Sequence, residues 1–99
     1  MLNQTAILVI PMLVAQVQQQ QGNPVTDGEV ALRIGTQAMV SKFGKQTIAS
    51  FAPYRSFYEQ GVWHVRGTPP KQSNQRRQSY PEALISATDG RVIKVYIVQ

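Results

Sequence analysis

The 99-residue chain contains no cysteine, one histidine, one tryptophan and five acidic residues, and each scarcity removes a class of chemistry. Without cysteine there is no disulfide to brace a small core and no thiolate nucleophile or thiolate metal ligand. With His64 as the only imidazole, zinc sites of the His and Cys type are excluded, and no metal or other cofactor is expected. Acid–base and nucleophilic mechanisms need titratable groups held in pairs. Here the acids are mostly committed locally. Asp27 and Glu29 belong to a helix start and Asp89 to a turn, leaving Glu59 and Glu82 without a local task. A Ser-His-Asp triad would have to take an acid already in use. No Gly-x-Gly-x-x-Gly or P-loop spacing occurs, so nucleotide binding has no local support. The expectation is a protein without catalytic residues.

Apolar runs are also short. Thr5 to Val17 is apolar apart from Gln16, below the roughly 20 residues that a spanning helix needs. Residues 1–17 therefore read as an export leader or as a structural apolar segment. No basic residue precedes the run, Pro11 interrupts it, and Leu13-Val14-Ala15 fits a small-x-small cleavage site poorly. Gln18 to Pro24 is Gln-rich and uncharged and reads as a linker, with the domain occupying 25–99. A cleaved leader would place the protein in the periplasm; otherwise it is cytoplasmic.

What the sequence does contain is periodicity. Thr26 and Glu29 match a capping box, and Val30, Ala31, Ile34, Ala38, Met39, Val40 and Phe43 follow at helical spacing up to Gly44. A helix over about Asp27 to Phe43 follows. Gly35 weakens its interior unless it permits close approach of a sheet. Lys45 to Ala52 is a short helical turn, ended by Pro53. Strands are expected over Tyr54–Glu59, Val62–Thr68, Glu82–Ala87 and Val92–Val98, with turns at Gln60-Gly61 and Asp89-Gly90. Phe57, Trp63 and Val65, with Ile93, Val95 and Ile97, form the expected inward set. The predicted fold is α+β, with one main N-terminal helix packed on a small antiparallel sheet of about four strands.

A sheet covered on one side leaves its second face open. On this register that face carries Tyr54, Tyr58, His64, Arg66, Lys94 and Tyr96, flanked by the polar loop Lys71 to Ser79 with Arg76 and Arg77. Aromatic and Arg residues dominate the energetic centres of protein interfaces, so these eight are the candidate partner-binding residues. The plain alternative is a solvated sheet covered by long stems. Ten Lys and Arg against five acids favour acidic partners. Nucleic acid has the weaker case, because the basic residues are scattered through every element rather than set in a phosphate track.

Phe43-Gly44-Lys45, Ile48, Pro53-Tyr54, Gly61-x-Trp63-x-Val65-x-Gly67-Thr68 and Asp89-Gly90-x-Val92, spread over about Asp27 to Val98, resemble the NTF2-fold immunity proteins of bacterial toxin systems. The resemblance implies an NTF2- or cystatin-like scaffold and a non-enzymatic antidote that binds a cognate toxin. It transfers no active-site residue. Arg76-Arg77-Gln78-Ser79-Tyr80-Pro81 stands where similar sequences tend to have a Gly-Gly pair before the third strand. Two other readings of the same fold remain open: an exported carrier holding an apolar molecule between helix and sheet, and a subunit that forms a homodimer through its sheet.

Overall fold

The computed structural model describes residues 22–70 and 79–99. Helix α1 (Gly28–Phe43) is followed by the short α2 (Lys45–Ala49) and four strands, β1 (Arg55–Glu59), β2 (Val62–Arg66), β3 (Tyr80–Ser86) and β4 (Val92–Val98). The strands form one antiparallel sheet in the order β1-β2-β3-β4, and α1 packs across one face, as expected for the α+β class. The proposed leader 1–17, most of the linker, and Arg76 and Arg77 lie outside the described residues. Among the described residues no helix is long and apolar enough to cross a membrane.

Local chemistry explains the element ends. The N-cap of α1 is Asp27, whose carboxylate accepts from Glu29 N at 2.9 Å. This corrects the expected Thr26 cap by one residue: Asp27 can bond the backbone N–H two residues on, and its charge suits the positive end of the helix. Gly44 ends α1 with φ 94, a conformation costly for any residue with a Cβ, and its N–H bonds to Val40 O. Gln60 and Gly61, with φ 52 and 82, make the two-residue β1–β2 turn, whose twist suits a tight hairpin. In the β3–β4 turn Asp89 Oδ1 accepts from Arg91 N at 3.0 Å.

One close contact sets how the helix lies on the sheet. A Cβ at Gly35 would fall 2.7 Å from Val65 Cβ and Cγ2, so the backbone of α1 rests directly on β2. From there the helix crosses diagonally. Its start lies against Ser56 and Trp63, and its last turn reaches the β4 edge, where Lys42 Nζ donates to Val95 O at 2.7 Å. The buried core is Val25, Ala31, Ile34, Met39, Ile48, Val65, Ala83 and Ile85, with Trp63, Tyr54 and Val95 packed on its margin. At the Gly35 crossing no space is left for the apolar guest of the carrier reading.

Pairing resolves the two faces of the sheet. Ser56, Val65, Ala83 and Val95 are cross-strand neighbours on the helix side, as are Tyr58, Trp63 and Ile85. The open face carries two rows that run through all four strands, Arg55-Arg66-Glu82-Tyr96 and Phe57-His64-Leu84-Lys94. Two expectations are corrected here. Phe57, expected inward, lies on the open face, and Tyr54 and Tyr58, expected there, lie on the helix side. β1 starts at Arg55 rather than Tyr54, and its mostly polar residues carry no alternation strong enough to fix which parity faces the helix. Ile93, expected inward, is 46% exposed because pairing slips at Leu84/Ile85 and turns the start of β4 outward.

Replacing Gly35 by Ala should lower stability despite the helix preference for Ala. The propensity gain is about 1 kcal/mol, and forcing a methyl against the rigid Val65 branch costs roughly 1–3 kcal/mol. Thermal denaturation should show a Tm lower by several degrees, and Val65→Ala in the Gly35→Ala background should cost less than Val65→Ala alone.

Candidate functional site

The open face is organised by a buried carboxylate. Glu82 sits mid-sheet on β3 with 2% of its surface exposed, although no element described in the structure packs over that face. Its carboxylate is bonded from the two neighbouring strands. Tyr96 OH donates to Oε1, Arg66 Nε donates to Oε2 at 2.7 Å, and His64 Nδ1 lies 3.1 Å from Oε2. An ionised carboxylate only accepts, so the Nδ1 proton of His64 is committed to Glu82. No buried side-chain polar atom among the described residues lacks a partner. The cluster is thus fully satisfied, the condition under which a buried charge is tolerated.

Aromatic rings complete the arrangement. Phe57 stacks on His64 with centroids 4.6 Å apart and planes within 8°. The Arg66 guanidinium carbon lies 4.7 Å from the Phe57 centroid and 5.6 Å from that of Tyr80. Lys94 Nζ sits 4.7 Å over the Tyr96 ring. On its outer edge, His64 Nε2 is 3.6 Å from Glu59 Oε1, an ion pair only when the ring carries both protons.

Burial alone would raise the Glu82 pKa. Hydrogen bonds from Tyr96, Arg66 and His64, with the charge of Arg66, outweigh it and hold the carboxyl below its ordinary 4.5. Burial first, and then the bond to Glu82, push Tyr96 up to about 12, so its phenol keeps its proton at neutral pH. The Arg66 pKa is raised, chiefly by its bond to Glu82. The cluster is one anion held by a cation, a phenol and the His64 ring.

Of the eight candidate residues, four meet on this face: His64, Arg66, Lys94 and Tyr96. Tyr54 is instead a structural tyrosine. Its OH donates to Ile48 O at 2.6 Å, its ring lies against Gly67, and burial pushes its pKa up to about 12. Tyr58 meets Trp63 edge-on at 5.5 Å and lines an open groove of about 580 Å³ with Val25, Thr26, Gly61, Trp63, Ala87 and Thr88. Arg76 and Arg77 lie outside the described residues. Sequence reading missed the centre of the site, Glu82, and the ring that props it, Phe57. A signal for Glu82 was present, an acid with no local task in the apolar run Ala83-Leu84-Ile85, where an unpaired charge would be costly.

Among the described residues no cluster of three or more His, Cys, Asp or Glu could hold a metal ion. Comparison with family models, with curated proteins and with solved structures gave no match to this chain.

Because the folded Glu82 pKa lies below the unfolded one, the unfolded chain binds the extra proton between the two values. The contribution of Glu82 to stability is therefore complete above the unfolded pKa and is lost as pH falls through the folded pKa. Thermal melts should show Tm declining as pH drops below about 4.5. Glu82→Gln should flatten that decline and cost about 1–3 kcal/mol at pH 7, since three donors lose their charged acceptor.

Proposed function

We propose that this chain is a non-catalytic binding protein whose open sheet face docks a protein partner, and that it serves as an NTF2-fold immunity protein that occludes a cognate bacterial toxin. The observation that carries the binding reading is the Glu82 cluster. A buried carboxylate on a face that no described element covers is a poor stability device, because apolar replacements of buried ion pairs are often as stable. What it supplies is order. Arg66, His64 and Tyr96 are held in defined conformations where a partner can reach them, and side chains fixed in advance lose little entropy on binding. The same commitments support the non-catalytic reading, since the His64 Nδ1 proton and the Tyr96 phenol are engaged in holding Glu82.

The toxin as partner is supported by the resemblance of Gly61-x-Trp63-x-Val65-x-Gly67-Thr68 and Asp89-Gly90-x-Val92 to immunity proteins of that fold. In the structure these segments build the first hairpin, the close seat of α1 on Val65 and the last turn. If residues 1–17 are a cleaved leader, the antidote acts in the periplasm, and mass determination of the mature N-terminus tests that part.

Co-expression with the product of the adjacent gene tests the proposal. Growth rescue together with a stoichiometric complex is expected, and Lys94→Glu or Arg66→Glu, each checked for folding by circular dichroism, should weaken that complex at least about tenfold, the scale of a lost interface charge contact. Absence of both toxicity and a complex would refute the toxin reading.

A further inference from the structure

The open face has more positive charge than its buried acid can answer. Arg55 and Arg66 are directly opposite each other on β1 and β2, on the same face of the sheet. Like charges in that relation destabilise a sheet. The carboxylate beside them, Glu82, is buried and saturated. Arg55 is exposed and makes no ion pair among the described residues. Arg66 spends only Nε on Glu82; its Nη1 and Nη2 donate no hydrogen bond among the described residues, and its side chain is 37% exposed.

Geometry makes this more than a surplus of charge. The Arg66 guanidinium is fixed at one edge by Glu82 and lies against the rings of Phe57 and Tyr80, which leaves its Nη1–Nη2 end as the unspent edge. That end presents two parallel N–H groups, the fork that matches a carboxylate. We propose that Arg66, with Arg55 beside it, is a receptor for one acidic side chain, an Asp or Glu on the surface of the partner protein. The proposal rests on the open face being the partner surface, and it names the chemistry that the partner brings to it. Among the described residues a nucleic-acid backbone fits less well, because the basic zone on β1 and β2 is short. Along β1 and β2 it ends at Glu59, an exposed carboxylate beside His64, so a row of phosphates would run into negative charge.

The test uses the whole chain, ¹⁵N-labelled, titrated at low salt with a hexaglutamate peptide and, separately, with a thymidine hexanucleotide, following the Arg Nε–H signals by NMR. The expected result is a saturable shift of the Arg66 and Arg55 signals with the peptide. Arg66→Lys keeps the charge but loses the fork and should bind the peptide about tenfold more weakly. Arg55→Gln, at an exposed position whose side chain makes no hydrogen bond among the described residues, should keep the fold and bind about threefold more weakly. No saturable shift at Arg66, equal affinity in Arg66→Lys, unchanged affinity in Arg55→Gln, or tighter binding of the oligonucleotide at equal ionic strength would each overturn the receptor. Peptide binding without a toxin complex would leave the receptor in place with a different acidic partner. A toxin complex without peptide binding would remove the receptor and leave the toxin reading standing.

Discussion

The seat of α1 on β2 at Gly35 and Val65 is the contact on which the other features depend. Because the helix backbone rests on the Val65 branches, α1 can cross the sheet only at that point, and its two ends are carried to opposite edges. That crossing decides which parity of each strand is buried. Val65, Ala83 and Val95 go beneath the helix, and their neighbours Arg66, Glu82 and Tyr96 are thereby turned to the other side. A small domain without disulfides has little surplus stability, so a single close approach of this kind carries unusual weight.

The face turned outward by that choice has its own internal logic. Its centre is an anion and its periphery is aromatic and cationic, the reverse of a core. Glu82 is buried and bonded by these groups, and among the described residues neither Arg66 nor Tyr96 makes another side-chain hydrogen bond. Phe57 and Tyr80 add flat surfaces against which the guanidinium rests. The outcome is a preorganised polar patch, which is costly as a stability device.

Much of the fold was legible in the residues, and for identifiable reasons. The α1 periodicity, the Gly44 stop, the positive-φ turn at Gln60-Gly61 and the Asp89-Gly90 turn are local, short-range signals, and each element appears where they place it. Gly35 marked a weak point in the helix that left close approach of the sheet as one of its explanations. The site was legible only where a strand has a strong apolar alternation. β2 and the end of β4 have one, and His64, Arg66, Lys94 and Tyr96 were found on the expected side. β1 has none, and so Tyr54, Tyr58 and Phe57 were placed on the wrong side together, as a single slip of one residue must do.

By itself the sequence determined the element order, the turn chemistry, the lack of thiol chemistry and the pairing of one helix with a four-stranded sheet, all of which depend on neighbours within a few positions. Only the tertiary structure decided that Glu82 is buried, that three donors from β2 and β4 converge on it, and that Arg66 keeps its outer fork unspent among the described residues. Those facts join residues 14 to 18 positions apart through strand register, and register is set by the packing of the whole sheet against α1 rather than by any local preference.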